Sequence, residues 1–87
     1  MWLHDIPDVY MVIEVSEEMN ASKIGAHIKE IREGMGLSQR DLAERARCSK
    51  SAVGGIEAGL SLPSLPLAAR LAEALDTTID DIARGDR

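Results

Sequence analysis

The 87-residue sequence predicts an all-α domain of five helices behind an extended N-terminal arm, and three observations predict it. From residue 21 onward, apolar side chains recur at helical spacing. Four of these runs open on a serine or threonine able to cap a helix, and three end at a glycine. Ahead of them all lies Val9-Tyr10-Met11-Val12-Ile13-Glu14-Val15, whose β-branched and aromatic character is that of a β-strand.

The first helix sets Ile24, Ile28, Ile31 and Met35 on one face, with Ser22 to cap it and Gly36 to end it. Ser38 caps the second, QRDLAERA. There Asp41 stands where a capping box prefers glutamate, and Leu42 and Ala46 share one side. Ser49 opens a short third helix that buries Val53 and Ile56, stops at Gly59 and cannot continue through Pro63. Leu65, Ala68, Leu71, Ala72 and Leu75 make a fourth amphipathic helix. Thr78 caps a fifth, in which Ile79 and Ile82 point inward before Gly85.

Composition excludes several classes of function. With 45% apolar residues the chain suffices for one modest core. No run approaches the roughly 18 apolar residues of a membrane span, and the acidic N-terminus lacks the basic flank of a signal peptide. A cytoplasmic chain is therefore expected. Cys48, the single cysteine, reads as a core thiol. His4 and His27 lie too far apart in sequence for metal-ligand spacing, and neither metal nor cofactor is expected. Paired carboxylates and a nucleophile with its base are missing as patterns, and GLSLPS lacks the lysine of a phosphate-binding loop, so no catalysis is expected.

The net charge of −5 on its face disfavours a DNA partner, because binding DNA neutralises phosphates with lysine and arginine. Its distribution reverses that reading. Residues 1–20 hold Asp5, Asp8, Glu14, Glu17 and Glu18 without a base, while acids and bases balance over residues 21–87. The chain thus divides into an acidic arm, 1–20, and a neutral helical body, 21–87. Within the body, Ser38 to Ser51 sets Arg40, Arg45, Arg47 and Lys50 against Asp41 and Glu44, a local excess of +2 suited to phosphates.

Only Arg47 and Cys48 join helices two and three, with the small Ala43 facing the link, and this makes a helix-turn-helix. From Ile24 to about Gly85 the chain resembles, without a gap, the phage-repressor (Cro and lambda repressor) helix-turn-helix family, also called the xenobiotic-response-element family. The segments that carry the likeness are IKEIREGMGLSQRDLAERA, CSKSAVGGIEAG, PSL and ARLAEALDTTIDDIARG. The resemblance implies a five-helix lambda-repressor-like domain, double-stranded DNA as partner and a third helix that enters the major groove.

The resemblance also implies roles for residues. Gln39, between Ser38 and Arg40, matches a glutamine that binds a DNA phosphate at a helix N-terminus. Ser49, Lys50 and Ser51 match the leading turn of the recognition helix, where a lysine can donate to guanine O6 and N7 or to a phosphate. Arg32 and Glu57 match a structural ion pair between helices one and three. Gly54 and Gly55 fall on the exposed face of the recognition helix, and Gly55 matches a position from which relatives reach a base or phosphate. Two glycines there weaken the helix by about 1 kcal/mol each relative to alanine, so the pair either serves close approach of backbone to DNA, the favoured reading, or reflects relaxed selection on base reading.

Two positions depart from the family pattern. Arg47 occupies a turn position usually filled by glycine and is expected to adopt a left-handed conformation, at a cost of about 1 kcal/mol. Leu60-Ser61-Leu62 stands where relatives often place basic residues, giving up phosphate contacts and offering an apolar surface to a partner.

In the arm, Val9, Tyr10, Met11, Val12 and Ile13 need a strand partner, and the cheapest is the same strand of a second subunit, giving a homodimer. The expected function is a sequence-specific DNA-binding transcriptional regulator, a repressor-type homodimer on a two-fold operator. The alternative is an antitoxin-like or co-regulator module that holds a protein partner through the arm and the Leu60–Leu62 loop.

Overall fold

The computed structural model describes residues 20–85, and in them the chain forms five helices and no strand. They are α1 (Ala21–Gly34), α2 (Gln39–Ala46), α3 (Lys50–Glu57), α4 (Leu65–Ala74) and α5 (Ile79–Arg84). The strand expected over Val9–Ile13 and the dimer contact assigned to it lie outside the described residues.

Each helix starts where a side chain can accept a backbone N–H that the first turn leaves unpaired. Ser38 and Asp41 form the full capping box, with Asp41 N–H donating to Ser38 Oγ at 3.0 Å and Ser38 N–H donating to Asp41 Oδ2 at 2.9 Å. Ser49, Ser64 and Thr78 cap α3, α4 and α5 in the simpler way. The cap of α1 differs from expectation. Asn20, in extended conformation, takes the N–H of Lys23 at 3.1 Å, so the helix begins before Ser22. Ser22 instead lies in the first turn, beside Gly59 at the end of α3.

The core is a single aliphatic cluster: Ile24, Ile28 and Ile31 from α1; Leu42, Ala43 and Ala46 from α2; Val53 and Ile56 from α3; Leu71, Ala72 and Leu75 in and after α4; Ile82 from α5. Each large member, fully buried, contributes about 1.5–3 kcal/mol relative to exposure. α1 packs on α3 and α5, α2 on α3 and α4, and α4 on α5, so that α2 and α3 form one flank of the body.

Three residues expected in the core lie at the surface: Met35 is 41% exposed, Leu65 70% and Ile79 38%. All three stand at helix ends, Met35 at the C-cap of α1 and Leu65 and Ile79 as first residues of α4 and α5. Periodicity assigns each to the inward side, but a helix end is buried only if a neighbouring helix extends over it. Cys48 is half-buried at the rim of the cluster rather than inside it, and burial pushes its thiol pKa up, away from the reactive thiolate.

Candidate nucleic-acid interface

The turn between α2 and α3 is built from Arg47 and Cys48, whose N–H groups donate to Glu44 O at 3.3 Å and Ala43 O at 3.0 Å. Arg47 is left-handed, φ 57° and ψ 51°, as the family resemblance implies for this position. Its side chain stays in solvent. A second restraint on this turn was not legible in sequence: Arg70 of α4 donates from Nε to the carbonyl of Ala46 at 2.8 Å, satisfying a terminal acceptor of α2.

α3 is positioned from beneath by α1. Arg32 donates from Nε to Glu57 Oε2 at 2.7 Å and from Nη2 to Oε1 at 3.0 Å, while Nη1 reaches Leu37 O at 2.7 Å. Both side chains are buried, 8% exposed for Arg32 and 3% for Glu57. The carboxylate beside it raises the Arg32 pKa, against the desolvation that lowers it. A second contact fixes the spacing of the same pair of helices. A Cβ on Gly25 would overlap the Ile56 carbonyl oxygen and lie 2.9 Å from that of Glu57, so only glycine lets α1 cross the end of α3 at this separation. Gly25 falls three residues before Ile28 and seven before Arg32, the face that meets α3. A mid-helix glycine inside an apolar face was the available signal.

Gln39 is half-buried rather than freely exposed. Its Nε2 donates to Glu57 Oε1 at 3.1 Å, joining the first turn of α2 to the Arg32–Glu57 pair. Ser38, Arg40, Ser49, Lys50 and Ser51 are exposed, as are Arg45 and Arg47, and none of these arginines and lysine forms an ion pair with another described residue. The segment Ser38–Ser51 thus brings two helix N-termini and four exposed cations, a net excess of +2 over Asp41 and Glu44, to one part of the chain.

Gly54 and Gly55 are half-buried on α3. A Cβ on Gly54 would meet Gln39 Oε1 at 3.9 Å and one on Gly55 would meet Ser61 Oγ at 3.7 Å, both ordinary contacts. Nothing within the described residues therefore requires glycine at either position, in contrast to Gly25.

The sequence shows His27 only as an isolated histidine. It is buried, 3% exposed, with Nε2 3.0 Å from Asp81 Oδ2, an oxygen that also accepts from Thr77 Oγ1 at 2.8 Å. This ties α1 to α5 and belongs to the fold. Among the described residues, no group of three or more His, Cys, Asp or Glu side chains could hold a metal ion, and no helix is long and apolar enough to cross a membrane.

Comparison with known proteins bears on this arrangement. A family described as helix-turn-helix matches residues 28–82. An uncharacterized HTH-type transcriptional regulator of Methanothermobacter thermautotrophicus is 43% identical over 56 residues, covering 63% of this chain and 81% of that protein. The restriction-modification controller protein C.AhdI of Aeromonas hydrophila superposes with a TM-score of 0.69 at 37% identity, over 71% of this chain and 94% of its own. The clp gene regulator ClgR of Corynebacterium glutamicum gives a TM-score of 0.67 at 29% identity, over 71% of this chain and 66% of that one.

Proposed function

From the premise that the chain belongs to the Cro and lambda-repressor-like helix-turn-helix family of transcriptional regulators, we propose that it is a sequence-specific DNA-binding regulator, acting as a homodimeric repressor on a two-fold operator. The observation that carries the reading is the α2–α3 unit itself. Two capped helix N-termini, led by Gln39 and Lys50, stand on one rigid turn, with Arg40, Arg45 and Arg47 exposed around them.

In this reading α3 enters the major groove. Lys50 and Ser51 address base edges or phosphates from its first turn, and Ser49 aligns it through its cap. Ser38, Gln39 and Arg40 grip the backbone, where the N-terminus of α2 adds partial positive charge. Gln39 reaches the phosphate from a side chain already held by Glu57, so less rotamer freedom is lost on binding. Gly54 and Gly55 let the backbone of α3 approach the duplex. The arm, residues 1–20, pairs across the dimer axis through Val9, Tyr10, Met11, Val12 and Ile13, and its acids keep it off the phosphates. Residues 21–87 form the reading domain.

Selection of bound duplexes from a random pool tests the proposal. A two-fold sequence should emerge, its half-sites centred about 10–10.5 base pairs, or a multiple of that, apart. A pool that shows no enrichment after repeated rounds would leave the chain as a protein-binding module on the same fold.

A further inference from the structure

The first turn of α1, the segment before α4 with the start of that helix, and the helix α5 enclose an apolar groove of about 130 Å³. Ile24, Leu62, Pro63, Leu65, Ile79 and Ile82 line it. Two of the residues expected in the core, Leu65 and Ile79, are therefore its walls, and Leu62 is 47% exposed beside them. Exposed apolar side chains gathered around one depression are a surface that awaits a cover.

We propose that the cover is the chain's own N-terminal segment, docked along the apolar alternation Val9, Met11, Ile13 and Val15. Three observations favour this occupant. The segment joins the described structure at Asn20, whose carbonyl accepts the N–H of Ile24 at 2.9 Å, so its attachment point is one helical turn from the groove wall. Four residues separate Val15 from Asn20, and an extended chain of that length spans about 17 Å, so the run reaches its own groove with little loop-closure entropy. A cation also stands near the groove rim, where α5 carries the acids Asp80 and Asp81 as well. Glu14, Glu17 and Glu18 flank the apolar run, while the exposed Lys23 lies beside Gly85 at the end of α5, next to the groove. Alternate residues of a strand face opposite sides, so Val9, Met11, Ile13 and Val15 share one face and Glu14 belongs to the other. Docking uses side chains and leaves the backbone edge of the strand for pairing with a second copy.

Cysteine pairing in the full chain tests the assignment, with Cys48→Ala removing the native thiol. Ile13→Cys combined with Leu62→Cys should close an intramolecular disulfide at least tenfold faster than Ile13→Cys combined with Gly34→Cys, a position at the far end of α1. Equal rates would overturn the proposal, and so would a disulfide that joins two chains, whether from residue 13 to residue 62 or between two copies of residue 62. A second measurement avoids the engineered thiols. In the full chain, Leu62→Glu places an acid in the groove and should speed amide exchange of residues 9–15 at least tenfold. Unchanged exchange would overturn the proposal independently.

Discussion

Arg32 and Glu57 meet through two parallel hydrogen bonds, 2.7 and 3.0 Å, with both side chains almost out of solvent. A buried pair of this kind is weak evidence of net stability, but breaking it strands a charge. Arg32→Ala leaves the Glu57 carboxylate beneath α3 with only Gln39 as donor, and should cost about 3–5 kcal/mol in urea unfolding. Arg32→Lys should recover only part, since an ammonium cannot hold both carboxylate oxygens and Leu37 O in the same planar geometry. A loss below about 1 kcal/mol would mean the pair is solvated.

Glycines at three helical positions should respond in opposite directions. Gly54→Ala and Gly55→Ala add a methyl where there is room and should stabilise the fold by up to about 1 kcal/mol each. Gly25→Ala forces a methyl against the backbone of α3 and should destabilise by about 1–3 kcal/mol. If the backbone of α3 lies close to DNA, the same stabilised Gly54 and Gly55 variants should bind their operator more weakly. Melting temperature and affinity measured on one set of variants separate the two effects, and unaltered affinity would remove these glycines from the interface.

The Ser38 backbone N–H, and then its hydroxyl, hold the Asp41 carboxyl below the usual carboxylate range. A pKa depressed in the folded state adds stability that is fully present above the ordinary range and is lost as pH falls through the folded value. The gap in urea midpoint between the wild type and Asp41→Asn should therefore be widest near neutral pH and close in acid. A gap that widens on acidification would contradict the capping box as the cause.

Removal of residues 1–18 should leave the helical body folded, because the core formed by the described residues runs from Ile24 to Ile82. If the arm makes the dimer, the shortened chain should sediment as a monomer and bind a two-fold operator far more weakly, through loss of linked half-sites. A shortened chain that still dimerises would place the interface in the body.

How much of this was legible in the sequence follows from how local each cause is. Caps such as Ser38 with Asp41 depend on residues three apart, whereas the left-handed Arg47 is expected from the glycine that the resembled family places at that position. Asn20 was missed because two polar candidates stood two residues apart, and only the entry of the chain chooses between them. Leu65 and Ile79 obey the helical period, yet their burial depends on whether another helix reaches that far. Arg32 with Glu57 was available only through family resemblance. The Arg70 bond to Ala46 and the His27–Asp81 contact join elements distant in sequence, and no local pattern announces them; the Gly25 crossing is equally non-local, and only a glycine inside an apolar helical face hints at it. For the candidate interface, the exposed cations and helix leads were legible, but the tether of Gln39 to Glu57 was not.

The central claim is that α2 and α3 read DNA, and a salt-dependent titration of the full chain onto the DNA upstream of its own coding sequence, with a shuffled duplex as control, tests it most directly. Affinity for the upstream DNA should exceed that for the shuffled duplex by on the order of a thousandfold or more. Gln39→Ala should weaken both alike and lower the salt slope by about 1, whereas Lys50→Ala, if it loses a base contact, should cost about 1–3 kcal/mol on the upstream site alone. Equal affinity for the two duplexes, unchanged by either substitution, would contradict the account.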